Sequence, residues 1–453
     1  MVDGGRMRAS DFGVIGHNRN GQSRGMPAPP ARVRSFLGAQ DMSQRLNSRI
    51  LAIAAAVAAL LAHGMEPVDA QAPAAQWVTA WTTSQQGLGE EGVTDVTVRL
   101  IARVTASGES VRIRFDNTYG TEPLQIGSAS VAQRMRGAAL VPGTNQPLRF
   151  DGEPGVTIPP GGSVQSDPVQ FAVLSRQDLA ISLHLPGENV RPSLHRGALV
   201  TSYLSADGAG DLTSSESREG LDERITSMWW LKGVDVLTTS VGGAIVAFGD
   251  SITDGSCGTV DGYDRWEDWL AVRLDMSGDA ARRRAVVNEG IGGNTVTREG
   301  LQPAPNSTPG VERLERDVFS HAGVTDVVLF MGTNDIRREA TARSVISGME
   351  TIIEQGHARG LRVHGVTIIP RHNRAPTPNN SGWTPAKTRI RNEVNAWMRG
   401  DAPFDGVLDF DQAVRDGADL DRIAPAFDCD GIHPTPRGYY EMGWSVPLEL
   451  FAR

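Results

Sequence analysis

Three polar residues in the C-terminal half have the types and the order of a nucleophile and its proton-transfer partners: Ser251, Asp430 and His433. A serine hydroxyl is a poor nucleophile at neutral pH and needs a base within hydrogen-bond reach. An imidazole, with an unperturbed pKa of about 6.5, can take and return that proton. A carboxylate can fix its tautomer and stabilise its charged form. These residues therefore predict acyl transfer through a covalent intermediate on Ser251.

Two further loops could supply donors for the negative charge that develops on a substrate oxygen. Gly293 lies in a glycine-rich segment, residues 288–295, where a backbone N–H can approach a ligand closely. The segment lacks the third glycine of a dinucleotide fingerprint. Asn334 follows an apolar run and could point its amide N–H at an oxyanion, although a helix N-cap is the alternative. With the N–H of Ser251, these groups form the predicted oxyanion hole.

The elements that must position these residues alternate between strand and helix from residue 242 onwards. Ser251 comes directly after Ala244–Phe248, an apolar run typical of a buried strand. Alternation predicts a parallel sheet with helices on both faces, and ligands of such sheets bind at the strands' carboxyl ends. The predicted strands are 244–248, 285–288, 326–331, 362–369 and 407–410, and the helices lie near 265–276, 311–319, 342–359, 385–398 and 436–451.

Residues 76–239 form a separate β-rich segment with many short strands and Gly/Pro turns, which predicts an N-terminal β-sandwich-like domain. Val96–Val104 and Val111–Phe115 alternate with period two and predict a hairpin with one solvated face. No cluster of acids and histidines stands out here, so a packing or substrate-positioning role is expected. Trp229 and Trp230 could form a sugar platform or pack in the core.

The first 72 residues have the pattern of processing sequence. Residues 42–72 combine Arg45 and Arg49, a 13-residue apolar stretch from Ile50 to Ala62, and a small-residue site ending at Ala72. This pattern predicts a secretory signal peptide, a secreted or periplasmic location, and no stable membrane insertion after cleavage. Residues 1–41 are expected to be disordered or to precede the true start at Met42.

Composition limits the function classes. The 453-residue chain is long enough for two folded domains, so the β-rich domain and a catalytic domain over 242–453 are expected. The net charge is −9 and no basic face stands out after residue 50, which argues against a nucleic-acid partner. No His-x-x-x-His pair occurs, so we expect no metal and no cofactor. The sequence does not give the oligomeric state.

The four motifs together resemble the SGNH, or GDSL, hydrolase family, whose blocks carry Ser, Gly, Asn and His in turn. The matching segments are Gly-Asp-Ser-Ile-Thr-Asp-Gly from residue 249, the glycine-rich loop, Gly-Thr-Asn-Asp from residue 332 and Asp-Gly-Ile-His-Pro from residue 430. The resemblance implies a flavodoxin-like three-layer domain with a five-stranded parallel sheet, a triad of Ser251, Asp430 and His433, and oxyanion donors at Ser251, Gly293 and Asn334.

The chain is similar to the secreted two-domain, xylan-esterase-like branch of that family. That branch usually reads Gly-Asp-x-Leu-His-Pro where this chain has Cys-Asp-Gly-Ile-His-Pro, and the Asp-to-His interval is kept. Arg265 and Trp266, after the nucleophile block, are the predicted substrate-binding residues. Arg265 could hold a substrate carboxylate or a sugar hydroxyl, or pair with a nearby acid such as Asp264.

The two cysteines of the chain, Cys257 and Cys429, flank the predicted nucleophile and triad acid. If the triad converges, their sulfurs come into one neighbourhood, so a disulfide is plausible in an oxidising compartment; two separate buried thiols are the alternative.

The resulting hypothesis is a secreted serine esterase that removes short acyl groups, acetyl first, from small esters or an acetylated polysaccharide. A lipase or arylesterase of broad short-chain specificity and a non-catalytic carbohydrate-binding protein are the alternatives.

Overall fold

A computed structural model describes residues 74–373 and 382–452. The predicted signal peptide and the segment before it lie outside the described residues. Within the described ranges, none of the helices combines the length and apolar character that crossing a bilayer requires.

The β-rich part consists of seventeen antiparallel strands, most of them short, separated by turns. The strands are β1 (Gln76–Thr82), β2 (Gly87–Leu88), β3 (Val96–Arg103), β4 (Gly108–Asp116), β5 (Leu124–Ile126), β6 (Ser128–Arg136), β7 (Ala139–Leu140), β8 (Gln146–Pro147), β9 (Val156–Ile158), β10 (Ser163–Gln165), β11 (Val169–Val173), β12 (Asp178–Leu185), β13 (Ser193–His195), β14 (Ser202–Leu204), β15 (Glu223–Ile225), β16 (Met228–Trp229) and β17 (Leu231–Thr238).

Two larger sheets of this part surround one apolar core. One sheet has the order β1-β17-β4-β10, with β11 also paired to β4, and the other runs β15-β14-β3-β12-β6-β7, with β8 paired to β6. Their apolar residues form one cluster, which includes Val98, Ile113 and Ile181. Trp230 is fully buried in this core, whereas Trp229 is only partly buried. The predicted β-sandwich stays a prediction.

The predicted hairpin of β3 and β4 is wrong, because the two strands belong to different sheets. β3 pairs with β12 and β14, whereas β4 pairs with β17, β10 and β11. Seven of the eight residues of β3 are buried, so both of its faces are covered. Even Arg99 is buried, because its guanidinium donates to Ser182 Oγ at 2.9 Å and to the carbonyl of Ala138 at 2.6 Å. Period-two alternation therefore located the strands but not their partners.

The C-terminal part contains one five-stranded parallel sheet in the order β19-β18-β20-β21-β22. This is the flavodoxin-like order, in which the ligand crevice lies at the carboxyl ends of the strands. Every residue of β18 is buried. Val246 and Phe248 pack on one face, and Ile245 and Ala247 on the other. The strands are β18 (Ala244–Gly249), β19 (Ala285–Gly290), β20 (Val324–Phe330), β21 (Arg362–Val366) and β22 (Gly406–Leu408).

Helices cover both faces of this sheet. The helix expected near 311–319 is divided into a short α-helix, Gly310–Leu314, and a π-helical turn, Glu315–Phe319. The helix expected at 436–451 ends at Ser445, just before Pro447. The helices are α1 (Ser251–Asp254), α2 (Trp266–Met276), α3 (Gly310–Leu314), α4 (Thr333–Arg337), α5 (Ala342–His357), α6 (Pro385–Gly400), α7 (Phe410–Val414) and α8 (Pro436–Ser445), followed by a 3-10 turn at Leu448–Phe451.

The β-rich part and the parallel sheet share a buried ionic network and belong to one compact unit, residues 72–453. Lys232 Nζ on β17 contacts Glu289 Oε1 at 3.1 Å and Asp317 Oδ1 at 2.7 Å. Arg313 contacts the second oxygen of Asp317 at 3.0 Å, and His321 contacts Glu289 at 2.6 Å. Burial alone would raise the pKa values of Glu289 and Asp317. The neighbouring cations, of which Lys232 has the largest effect, instead hold both pKa values below their usual range.

Lys232→Met should destabilise the protein by about 3–5 kcal/mol, because it leaves two buried carboxylates short of a counter-charge. The free energy of unfolding in urea measures this loss. Arg298→Met is the matched control, since its ion pair with Glu312 is largely exposed to solvent and should contribute little to stability. Equal losses in the two variants would contradict a stabilising role for the network.

Candidate active site

The segment between β18 and α1 brings Ser251 to the carboxyl edge of the sheet. A Cβ on Gly249 would lie 2.1 Å from Thr253 Oγ1 and 3.1 Å from the carbonyl oxygen of Phe330, so the turn needs glycine there. Asp250 caps the helix, because its carboxylate accepts a hydrogen bond from Ile252 N at 2.9 Å. Ser251 is the first residue of α1, where a backbone N–H has no intrahelical acceptor.

Ser251, His433 and Asp430 form one continuous hydrogen-bonded chain. Ser251 Oγ lies 2.9 Å from His433 Nε2, and His433 Nδ1 lies 2.8 Å from Asp430 Oδ2. The loop before α8 thus places the imidazole between a hydroxyl and a carboxylate, 182 residues after the serine. This is the geometry in which an imidazole can accept the serine proton while a carboxylate orients the ring.

Asp430 is held in its ionised form. Partial burial would raise its pKa, but hydrogen bonds from the His433 side chain and backbone, the His433 charge and the Ile432 N–H together lower the pKa to about 2. The backbone bonds measure 2.8 Å from His433 N and 3.0 Å from Ile432 N. The carboxylate is therefore fixed in position and charged throughout the neutral range.

Gly293 and Asn334 are both found in the loops that follow strands of the same sheet. Gly293 has a φ of +74°, in the left-handed region that favours glycine, and its N–H has no acceptor among the described residues. Asn334 lies in the first turn of α4, and its amide donates to the carbonyl of Asn294 at 3.0 Å and to Asp250 at 3.3 Å. The Asn334 amide thus donates to two protein acceptors, so an oxyanion would have to replace one of them. Burial raises the pKa of Asp250 to about 6.

Asn334→Ala should lower kcat by about 10²–10³-fold, the usual cost of removing one oxyanion donor. KM should change little, because the donor binds the transition state more strongly than the substrate. Steady-state kinetics with an aryl acetate measures both values. Asn392→Ala on the exposed side of α6 is the control; a comparable loss there, or unchanged kcat in Asn334→Ala, would remove this residue from the oxyanion hole.

Asp254 connects the nucleophile helix, the glycine-rich loop and the β-rich part. Its Oδ2 accepts the Gly292 N–H at 2.9 Å and a weaker bond from Gln86 at 3.3 Å, and its Oδ1 lies 2.9 Å from His195 Nε2. Burial alone would lower the pKa of His195, but the Asp254 charge and hydrogen bond raise it above its usual value. A residue of the β-rich part thus helps to hold the loop that carries Gly293.

Arg265 and Trp266, predicted to bind substrate, do not reach the site. The Arg265 guanidinium donates to the backbone carbonyls of Asp254 at 2.8 Å and Ala198 at 2.7 Å. Trp266 is fully buried and packs edge-on against Phe410. Their adjacency to the nucleophile block in sequence was misleading, because α2 turns both side chains into the protein. Arg265 orders a loop and Trp266 is a core residue.

Cys257 and Cys429 are joined as a disulfide, with their Cα atoms 6.5 Å apart. The bond ties the loop after the nucleophile to the loop that carries Asp430. Cys257, Asp430 and His433 form the one group of potential metal ligands among the described residues. Because the Cys257 sulfur is already bonded to Cys429, this group does not offer a thiolate to a metal ion.

Two arginines near the site were missed by the sequence analysis. Arg337 is the last residue of α4, three residues after Asn334, so the two share one helical face. Arg371 follows β21 at the same edge of the sheet, and its charge acts on Asp250 and Asp430. The strand-end rule that singled out Asn334 could have singled out Arg371.

The site places a serine hydroxyl within hydrogen-bond distance of an imidazole at the carboxyl edge of a parallel α/β sheet. This is the arrangement of the triad groups in serine hydrolases. Residues 247–440, which contain all four motifs, match the model of the GDSL-like Lipase/Acylhydrolase family. The chain is a carboxylic ester hydrolase. No curated protein sequence matches it.

Three solved structures similar to this chain are named as esterases or as a lipolytic protein. A carbohydrate acetylesterase, Est24 from Sinorhizobium meliloti, is 20% identical over 44% of this chain and 94% of its own, with a TM-score of 0.34. An aryl esterase from M. smegmatis is 22% identical over 44% and 94%, with a TM-score of 0.32. A putative lipolytic protein of the G-D-S-L family from Desulfitobacterium hafniense is 19% identical over 45% and 96%, with a TM-score of 0.33. At these low TM-scores the similarities carry no argument about function.

Proposed function

We propose that this protein is a secreted serine esterase that removes short acyl groups, acetyl first, from carbohydrate esters. The single observation that carries the proposal is the hydrogen-bonded chain from Ser251 through His433 to Asp430, with distances of 2.9 Å and 2.8 Å. A hydroxyl held this way has its base already in place, so His433 can take the Ser251 proton during the attack.

The proposed reaction has two halves. Ser251 Oγ attacks the ester carbonyl while His433 Nε2 takes its proton, and the oxyanion accepts hydrogen bonds from Ser251 N, Gly293 N and the Asn334 amide. The tetrahedral intermediate then breaks its bond to the alcohol oxygen, which receives the proton from His433. In the second half, water gives a proton to His433 Nε2 as its oxygen attacks the acyl carbon. The tetrahedral intermediate then breaks its bond to Ser251 Oγ, which receives that proton back from His433, and the carboxylic acid leaves.

The acetyl and carbohydrate parts of the proposal rest on resemblance to the xylan-esterase-like branch and on the attached β-rich part. They are tested by measuring acetate release from acetylated xylan beside hydrolysis of a triglyceride and a simple aryl acetate. Preference for the xylan, and for acetyl over octanoyl among para-nitrophenyl esters, supports the proposal. Preference for the triglyceride or for octanoyl would favour the alternative, a lipase or arylesterase.

Secretion is supported by the disulfide, since such bonds persist in oxidising compartments, and by the signal-like pattern of residues 42–72. Expression of the full chain in a bacterial host, followed by mass measurement of the exported protein, tests it. The expected product begins just after Ala72; a full-length chain retained in the cytoplasm with reduced cysteines would contradict secretion.

A further inference from the structure

Arg371 is a buried arginine whose side chain finds no acceptor among the described residues. The residue is 4% exposed, and its Nε is sealed from solvent with no acceptor. Among residues 74–373 and 382–452 no hydrogen bond or ion pair reaches its side chain, and the guanidinium carbon lies 5.3 Å from the ring centroid of Trp383. A buried charge without a counter-charge or hydrogen-bond partner lowers the stability of the folded protein, and a bound anion would remove this cost.

Arg371 lies beside the loop that carries the triad acid and base. The next two residues donate backbone hydrogen bonds to the carbonyl of Gly431, His372 N at 2.9 Å and Asn373 N at 3.2 Å. Gly431 stands between Asp430 and His433 in the sequence. The chain at Arg371 is thereby fixed against the segment that presents the imidazole to Ser251.

A second guanidinium approaches from the oxyanion side. A Cβ placed on Gly293 would lie 3.7 Å from Arg337 Nη2, so this cation is next to the backbone that carries a predicted oxyanion donor. Its Nε is also buried with no partner, and the described residues accept no hydrogen bond from its side chain. Burial and then the Arg338 charge lower the pKa of Arg337, and the negative charge of Asp250 acts in the opposite direction on the pKa of both Arg337 and Arg371.

The acids in this neighbourhood do not form ion pairs with either arginine. Asp430 is engaged by His433, and Asp250 caps α1 and accepts from Asn334. Burial and the Arg337 charge lower the pKa of Arg371 to about 10, so the guanidinium stays charged at neutral pH. Among the residues that the structure describes, the side chains of Arg337 and Arg371 thus have no acceptor, and both carry a positive charge that could bind an anion.

We propose that Arg337 and Arg371 form a subsite for a carboxylate carried by the ester substrate itself, adjacent to the carbonyl that Ser251 attacks. The proposal rests on the proposed esterase function and narrows its substrate class to acidic esters. The carboxylate could belong to the acyl group, as in a dicarboxylic half-ester, or to the alcohol, as in an acetylated uronic acid. Guanidinium groups suit either, because their forked donors match the two oxygens of a carboxylate.

Matched pairs of esters test the subsite and separate the two sources. Mono-para-nitrophenyl succinate against para-nitrophenyl butyrate places the charge on the acyl group; para-acetoxybenzoate against para-acetoxybenzamide places it on the alcohol. The ratio of kcat/KM for the anionic and neutral member is measured in the wild type, Arg371→Gln, Arg337→Gln and Arg371→Lys. Arg343→Gln, exposed on α5, is the control.

In at least one pair, we expect the ratio to fall about 10–100-fold in each Gln variant, as for loss of a hydrogen bond to a charged group. It should fall less in Arg371→Lys, which keeps the charge, and should not change in Arg343→Gln. Ratios equal to the wild-type ratio in both pairs for both Gln variants would overturn the subsite. The same result is expected if the arginines only stabilised the oxyanion, because kcat/KM would then fall equally for the anionic and the neutral ester of each pair.

A binding measurement without turnover separates failure of the subsite from failure of the esterase function. Succinate or glucuronate should raise the Tm of the wild type more than the uncharged succinamide or glucose, and this difference should disappear in Arg371→Gln and Arg337→Gln. Charge-selective binding without ester hydrolysis would support the subsite and reject the esterase proposal. If the neutral esters are hydrolysed but neither binding nor kinetics depends on the charge of the ligand, the esterase proposal is supported and the subsite is rejected.

Discussion

Ser251→Ala is expected to fold like the wild type and to lose ester hydrolysis by roughly 10⁴–10⁶-fold, as when a triad nucleophile is removed from other serine hydrolases. Ser251 Oγ is the hydroxyl that contacts His433 Nε2. The variant removes one oxygen at the start of a short helix, so the unfolding transition should hardly move. Steady-state kinetics with para-nitrophenyl acetate and a thermal melt measure the two effects.

Ser256→Ala is the matched control, five residues further along the same segment. Its carbonyl accepts a hydrogen bond from the Tyr439 hydroxyl at 2.7 Å, and this backbone contact survives the substitution. The control should keep wild-type kcat. A Ser251→Ala protein with near wild-type activity would show that another group carries the chemistry.

Asp430→Asn should lower kcat by roughly 10³–10⁴-fold with little change in KM, the effect of losing the triad acid. The amide has nearly the shape of the carboxylate, but it cannot stabilise the imidazolium and can offer an N–H where His433 Nδ1–H needs an acceptor. Because the pKa of Asp430 is held at about 2, its ionisation should not shape the wild-type pH profile above about pH 4. A pH series of kcat for both proteins measures these expectations.

Asp428→Asn provides the control for that variant. Asp428 lies two residues earlier, accepts the Gly431 N–H at 2.7 Å and pairs with His372 at 3.0 Å instead of with His433. Its substitution should cost far less activity than Asp430→Asn. If the two variants lost activity equally, the carboxylates would only maintain the conformation of the loop that carries His433, and the triad role of Asp430 would be wrong.

The sequence was sufficient to predict where the chemical groups lie along the chain and why they meet. β18 could be predicted because an apolar run of strand length stops at Gly249, and His433 could be placed because its loop precedes a helix. Parallel strands end at one edge, so residues at their carboxyl ends converge without any knowledge of side-chain packing.

The features that could not be predicted from the sequence depend on contacts between residues that are far apart in the chain. His195 meets Asp254 only because the β-rich part packs on the loops of the catalytic sheet, and no local pattern encodes that contact. The partners of β3 were missed because alternation gives a strand its faces and not its neighbours. Trp266 was misassigned because sequence distance to Ser251 does not give the direction of a side chain that α2 turns inward.

The covalent step on Ser251 is the central claim, and trapping it is the most direct test. The wild type is treated with a fluorophosphonate, and its intact mass and labelled peptide are measured beside those of Ser251→Ala and His433→Ala. We expect one adduct on Ser251, none in Ser251→Ala and much slower labelling in His433→Ala. A protein that hydrolyses esters yet stays unlabelled at Ser251, or carries the adduct on another residue, would contradict it.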